Sequence, residues 1–277
     1  MNLSHSEQLS YSTIRIECIY SNGTSGTGTG YIFNLKENES EKTYVPVLIT
    51  NKHVVNDSVQ IKLLFTKATS SGEPLDTEHF DIHVNSSIFP IFMHPEKEVD
   101  LCAIPIQPFL EEAKKRGEKL FYVPLSKQIL PTQEQIENFS AMEDIIMIGY
   151  PNGIWDSTNN KPIFRKGVTA THPNFDYNGK KEFMIDAACF PGSSGSPVFI
   201  FNEGGYMDKK GNIVMGQSRI ILLGTLYAGP QQTTTGEIKV IDVPTSQKAI
   251  SVSNIPINLG LIIKAERILE LESQIID

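Results

Sequence analysis

An all-β fold is what this chain predicts, and three observations predict it. Short apolar alternations recur from one end to the other, Gly, Asn and Pro punctuate them at close intervals, and a clear helical period appears only at the C-terminal end. Ile14, Ile16, Cys18 and Tyr20 alternate with Arg15 and Glu17. The same period of two returns at Val59, Ile61, Leu63 and Phe65 against Gln60 and Lys62. That is the pattern of antiparallel strands with one buried face and one wet face. Further strands are predicted at 29–34, 44–50, 101–106, 145–149, 163–171, 183–187, 197–201, 218–227 and 259–263. Residues 107–143 break the rhythm. There 110–116 reads as a short helix, and 124–138 is polar and carries Pro124 and Pro131, so the stretch is read as a connection between two units. In 265–276, Ala265, Ile268, Leu269 and Ile275 share one face at helical spacing, which predicts a terminal helix packed against a barrel. The run from Gly23 to Gly30 lacks the ending of a phosphate loop and the spacing of a dinucleotide site, and is read as a hairpin turn.

Composition narrows the function. At 277 residues, the chain is long enough for one large domain or two small ones, and 40% hydrophobic with 20% charged residues is an ordinary globular balance. Lys plus Arg number 24 against 32 Asp plus Glu, and the formal charge of -8 would repel a phosphate backbone, so no nucleic-acid partner is expected. Cys18, Cys102 and Cys189 lie far apart without a CxxC pair, so neither a disulfide framework nor a zinc site is written here. No metal and no cofactor are expected. The N-terminus lacks the basic head and apolar run of a secretory signal, and no stretch approaches the roughly 18 to 20 apolar residues that cross a bilayer. The expectation is a soluble, cytoplasmic protein with no membrane partner.

Three segments carry chemistry. In 185–199, Ser194 lies between Gly192 and Gly195, with Pro197 opening the next strand. Glycines let the backbone turn sharply and aim N–H groups at one point, so the N–H groups of Gly192 and Ser194 could stabilise an oxyanion. A bare Gly/Ser turn would look similar. A serine hydroxyl is a poor nucleophile unless a histidine takes its proton and a carboxylate holds that histidine in the right tautomer. Val47-Leu-Ile-Thr50-Asn-Lys-His53 places a histidine just after an apolar strand, and Glu98-Val-Asp100-Leu places an aspartate just before another. Chain order is His53, Asp100, Ser194. An α/β-hydrolase needs its histidine after its serine, but the last histidine, His172, precedes Ser194; the subtilisin order needs an aspartate before the histidine, and none precedes His53. His5, His79, His83, His94 and His172 sit in no comparable block and are read as surface or loop residues.

The blocks LITNKHVV, EVDLCAI and DAACFPGSSGSPVF resemble the catalytic blocks of the chymotrypsin-fold (trypsin-like) serine proteases, most closely HtrA-like and related bacterial trypsin-like peptidases. Supporting likeness comes from 26–33 (the glycine-rich first hairpin), 148–153 (the loop opening the second barrel) and 223–228 (the substrate-binding strand). Segments 107–143 and 201–218 match nothing in the family pattern. Ser193 stands where the family usually has Asn or Asp, and Ser196 where it has Gly; neither change removes the backbone donors, and spacing to Gly195 and Pro197 favours Ser194 over Ser193 as nucleophile.

The resemblance implies two antiparallel six-stranded β-barrels and a C-terminal helix. The expected divisions are an N-terminal barrel over 10–115 carrying the His and Asp, a connection over 116–139, a second barrel over 140–264 carrying the Ser, and the helix over 265–277. It implies a serine endopeptidase with His53, Asp100 and Ser194 as catalytic residues and Gly192 with Ser194 as oxyanion hole. Ala188, six residues before the nucleophile, falls at the base of the pocket for the residue preceding the cut, with Leu226, Tyr227, Ala228 and Leu261 as candidate walls. The lack of an acid there predicts cleavage after small or aliphatic residues, with protein or peptide substrates pairing along 225–228. No Ile-Val-Gly-Gly start and no PDZ-sized segment after the protease are present, so gating by loops or by a regulatory protein partner is the expectation. Two alternatives stand beside it: a catalytically silent pseudo-protease acting as a peptide- or protein-binding module, and esterase activity from the same machinery.

Overall fold

Antiparallel strands are the dominant regular structure in the computed structural model, which describes residues 3–38, 40–237 and 250–275. A short helix, α1 (His5–Ser12), starts where the Ser4 side chain accepts from the Glu7 N–H and the Glu7 carboxylate accepts from the Ser4 N–H. The first sheet follows. Its six principal strands are β1 (Thr13–Tyr20), β2 (Ser25–Asn38), β3 (Thr43–Thr50), β4 (Ser58–Ala68), β5 (Pro74–Asn85) and β7 (Cys102–Pro105), in the order β5-β4-β1-β2-β3-β7. Two strands of two residues bring the count to eight: β6 (Phe92–Met93) pairs with β7, and β8 (Leu120–Phe121) with β4. One helical turn, α2 (Lys52–Val55), sits between β3 and β4, and α3 (Gln107–Lys115) follows β7, burying Phe109 and Ala113 in the core of this sheet.

Between the units, α4 (Gln133–Asn138) opens on a capping box at Thr132 and Gln135. The second unit is the expected six-stranded barrel, closed, from β9 (Asp144–Gly149), β10 (Ile163–Thr169), β11 (Glu182–Asp186), β12 (Pro197–Asn202), β15 (Arg219–Ala228) and β18 (Leu259–Lys264). Two hairpins interrupt it. β13 (Gly205–Met207) pairs with β14 (Ile213–Met215), and β16 (Gln231–Glu237) with β17 (Ile250–Pro256). The terminal helix is α5 (Glu266–Leu269) continued by a 3-10 stretch, Glu270–Gln274. Ile276 and Asp277, the end of the helix read from the sequence, lie outside the described residues.

The unbroken apolar runs of β2 and β3 have a structural cause: both faces are buried. Ile32 and Leu48 point into the core of the first sheet, while Tyr31, Phe33, Val47 and Ile49 point the other way. That second face packs on Ile148, Phe199, Leu222 and Ile263 of the barrel and on Ala265, Ile268, Leu271 and Ile275 of the terminal segment. The helical face read from the sequence therefore covers the seam between the units. A separate core, with Phe183, Ile185, Val198 and Ile262, fills the barrel.

Two sequence readings are corrected and a third is narrowed. The glycine-rich run is strand rather than turn from Ser25 onward, and β1 and β2 pair from Thr13↔Tyr31 to Ile19↔Ser25. Gly26, Gly28 and Gly30 share one face at the period of two; a Cβ there would meet Tyr20 Oη at 2.8 Å, Val54 Cγ1 at 2.4 Å and Leu48 Cδ1 at 2.9 Å. Glycine is used because the opposing side chains fill the space. The short helix begins at Gln107 rather than 110, since Pro108 suits a first turn that needs no N–H. His94, read as a surface or loop residue, is a loop residue that is buried, and its ring lies 3.3 Å from the Glu270 carboxylate.

Candidate active site

Antiparallel pairing of β3 with β7 aligns Thr50 with Cys102, so the residues just after Thr50 and just before Cys102 emerge at the same end of the sheet. Those residues are His53 and Asp100. Val54 and Val55 are buried and anchor the α2 turn, leaving the His53 ring facing outward. Asp100 Oδ1 accepts from the His53 backbone N–H at 3.0 Å, and Oδ2 lies 2.5 Å from the ring Nδ1. A carboxylate only accepts, so Nδ1 carries a proton, and in the neutral ring Nε2 then keeps its lone pair free for a proton from elsewhere. Asn51 Nδ2 donates to the Asp100 carbonyl at 2.7 Å, so Asp100 is held by backbone and side chain together.

Ser194 lies in the turn between β11 and β12. Gly192 and Gly195 take φ values of +85° and +86°, the left-handed region that favours glycine. A Cβ on Gly195 would fall 1.8 Å from the Thr29 carbonyl oxygen and 2.7 Å from Thr50 Oγ1, so only glycine lets the turn lie this close to the His-bearing strand. Ser193 N–H donates to the Phe190 carbonyl (3.0 Å) and Gly195 N–H to the Leu226 carbonyl (2.8 Å). The N–H groups of Gly192 and Ser194 donate to no protein acceptor among the described residues. Two free donors flanking Ser193 in a largely buried turn are what an oxyanion would need. Ser194 is partly exposed, whereas Ser193 is 1% exposed and its hydroxyl is enclosed without a partner. Among the described residues no hydrogen bond joins Ser194 Oγ to the His53 ring.

Thr29, which sequence reasoning did not single out, joins these parts. Its N–H donates to the Ser194 carbonyl (2.8 Å), and its carbonyl accepts from Thr50 Oγ1 (2.7 Å). Its hydroxyl donates to the Gly192 carbonyl (2.9 Å) and accepts from the Tyr150 N–H (3.1 Å). The alternation of Thr27, Thr29 and the glycines was the only signal in the sequence. A second bridge runs from Tyr31 Oη to Thr225 Oγ1 at 2.7 Å, tying β2 to β15; burial raises the Tyr31 phenol above its usual range.

The predicted pocket residues divide. Ala188 and Ala228 are partly exposed, and Ala228 pairs with the partly exposed Leu261 across a bulge. Leu226 is buried in the barrel core, so its side chain is not an open wall. Tyr227 is partly buried and donates from Oη to Glu182 at 3.0 Å; burial, reinforced by the Glu182 charge, raises its phenol above the usual range. Two further residues were missed. A Cβ on Gly260 would meet Cys189 Sγ at 2.6 Å and Leu226 Cδ1 at 2.7 Å, so the thiol and the isobutyl group fill the space beside Gly260. Burial pushes the Cys189 thiol up to about 11, so it stays a neutral apolar lining. Among the described residues no cluster of His, Cys, Asp and Glu side chains has the makings of a metal site.

A family model described as a trypsin-like peptidase domain matches residues 28–206. A search of curated proteins finds no match. Among solved structures, the chain is similar to the HtrA-type protease AlgW with a tripeptide, at 16% identity and a TM-score of 0.47 over 95% of this chain. It spans 59% of that protein's chain. It is also similar to the protease domain of MamO from Magnetospirillum magneticum, at 13% identity and a TM-score of 0.43, covering 98% of this chain and 100% of that one. A thermostable serine protease from an extremophilic microorganism is similar at 11% identity and a TM-score of 0.45, over 95% of this chain and 96% of that one.

Proposed function

We propose that this chain, which belongs to the trypsin-like peptidase domain family, is a serine endopeptidase acting through an acyl-enzyme on Ser194. The observation that carries the reading is the pairing of Asp100 with His53 at 2.5 Å beside a turn that offers two unengaged N–H donors. Ser194 Oγ attacks the scissile carbonyl carbon while His53 Nε2 takes the hydroxyl proton. Asp100 holds the ring and stabilises the imidazolium, and the N–H groups of Gly192 and Ser194 receive the oxyanion. The proton then passes from Nε2 to the leaving amine as the C–N bond breaks. Water repeats the sequence to release the acid and restore Ser194. The same steps would turn over an ester.

Family membership implies protein or peptide substrates. We assign the residue preceding the cut to the surface around Ala188, Ala228 and Leu261, floored by Leu226 and flanked by Tyr227. Cys189 brings a neutral thiol and Gly260 no side chain to this space, which supports a small or aliphatic preference. β15 is paired with β18 throughout this stretch and with the β12 side as far as Leu226, which bonds Gly195 and Ser196, so an extended peptide would add as a strand only along Tyr227 and Ala228. Three buried, free thiols support a reducing, cytoplasmic setting, testable by cell fractionation.

One observation favours the second reading, a pseudo-protease that binds peptides without cutting them: Ser194 and His53 share no hydrogen bond. In an uncomplexed enzyme such bonds are often long and tighten only with substrate, and we propose that substrate or a regulatory protein partner closes this gap. Mass-spectrometric mapping of cleavage sites in a proteome-derived peptide library, with Ser194→Ala as control, tests the reading. Cuts after Ala, Val or Leu that vanish in the variant are expected. Peptide binding without cleavage would establish the binding module, cuts after Arg or Lys would overturn the pocket assignment, and full turnover by purified protein would remove the partner requirement.

A further inference from the structure

Lys52, next to His53, has no carboxylate within ion-pair distance among the described residues. Its ammonium instead donates to three backbone carbonyls, those of His94 (3.1 Å), Glu96 (3.0 Å) and Lys97 (3.3 Å). An ammonium has three N–H donors, so this seat saturates it. The three carbonyls belong to the loop between β6 and β7 that also carries Asp100. The adjoining residues hold the same loop: Asn51 binds the Asp100 carbonyl and His53 binds its carboxylate. Asn51 does so although it stands at the helical N-cap, where its side chain makes no capping bond. From the far side the terminal helix grips the loop, with Arg267 2.7 Å from the Glu96 carboxylate and the buried His94 ring 3.3 Å from Glu270. Burial lowers the Lys52 pKa below the usual lysine value while the Asp100 charge opposes that shift, which places the ammonium in the same field as the pair it supports.

We propose that Lys52 is a positioning residue: by seating its ammonium on the carbonyls of His94, Glu96 and Lys97 it fixes the loop that presents Asp100 to the His53 ring. The proposal rests on the reading of His53 and Asp100 as the catalytic pair. A surface lysine would leave those carbonyls to water, and the loop would then be free to move relative to the residue beside Lys52. Misplacement by about 1 Å costs on the order of 10²-fold in rate.

Lys52→Met is read in two ways. The first is the proton resonance of His53 Nδ1, which a short hydrogen bond to a carboxylate carries far downfield, whether or not the protein turns over substrate. The second is the split of kcat and KM on a fluorogenic peptide with Ala before the scissile bond. In Lys52→Met the resonance is expected to move upfield or broaden away, and kcat to fall about 10²-fold with KM nearly unchanged. Lys52→Gln, which keeps an amide donor, gives the same readouts where the Met variant does not fold, and should retain part of the rate. A resonance unmoved in a folded variant overturns the positioning role alone. Absence of Ser194-dependent turnover in the unaltered protein overturns the catalytic reading and leaves the resonance to decide whether Lys52 positions Asp100.

Discussion

Thr29→Val removes one hydroxyl and leaves nearly the same shape, which makes it a clean probe of the junction between the Ser194 turn and the first sheet. The backbone bonds of Thr29 to Ser194 and Thr50 survive. Two buried groups lose their recorded partner: the Gly192 carbonyl, bonded at 2.9 Å, and the Tyr150 N–H, bonded at 3.1 Å. Leaving a buried polar group unsatisfied costs about 1–3 kcal/mol, and valine recovers part of this through its added apolar contact, so the net loss is about 3 kcal/mol. For a chain of this size class, about 2–4 °C of melting temperature accompanies each kcal/mol, which gives a fall of about 6–12 °C. Differential scanning fluorimetry measures it directly. Because the Gly192 carbonyl is what the hydroxyl holds, peptide turnover should fall together with stability, and Thr29→Ser should restore both. A melting temperature within a degree or so of the unaltered protein, with turnover intact, would refute the reasoning.

The other predictions use the same geometry. Asp100→Asn should lower kcat about 10⁴-fold with little loss of secondary structure by circular dichroism, because an amide can donate to Nδ1 and stabilise the wrong tautomer. Gly195→Ala should abolish turnover and destabilise the fold by more than about 3 kcal/mol, since its methyl would collide with the Thr29 carbonyl at a left-handed φ; chemical denaturation reads it. The Cys18 and Cys189 thiols are pushed by burial from 9 to about 11. An acid whose folded pKa is raised binds more protons folded than unfolded once the pH exceeds the unfolded value. Their contribution to stability is therefore full below pH 9 and falls between pH 9 and about 11, seen as a declining melting temperature over that window. Native protein should react slowly with a thiol reagent, and denatured protein should yield all three thiols, Cys18, Cys102 and Cys189.

How legible each part was follows from where its contacts lie. β1 and β4 could be read because each has a wet face that breaks the apolar run at every second residue. The second half of β5 has the same signature, Phe80, Ile82 and Val84 against Asp81 and His83, and was missed because its first half carries no alternation and pairs with β4 across a register shift between Thr66 and Lys67. β13 and β14 were hidden for another reason: Met207, Ile213 and Met215 point outward, so apolarity and burial part company there. α1 and α4 each announce themselves by a capping box, but their helices are too short to show a period. At the site, His53, Asp100 and Ser194 each stand in a block whose residue types suit their chemistry. Thr29 and Lys52 do not, because what they bind is backbone brought near by folding: the Gly192 carbonyl for Thr29, and the 94–97 carbonyls for Lys52. Backbone carbonyls have no residue type of their own, so beyond the alternation of Thr27 and Thr29 with the glycines the sequence carries no mark of these contacts.

The central claim is that the Asp100–His53 pair and the Gly192–Ser194 donors serve a nucleophile at Ser194. Treating the intact protein with a fluorophosphonate and mapping the adduct by peptide mass spectrometry tests it most directly. A single adduct on Ser194, slowed by Asp100→Asn and absent in Ser194→Ala, is the predicted result. An unmodified Ser194, or an adduct on Ser193 in its place, would contradict it.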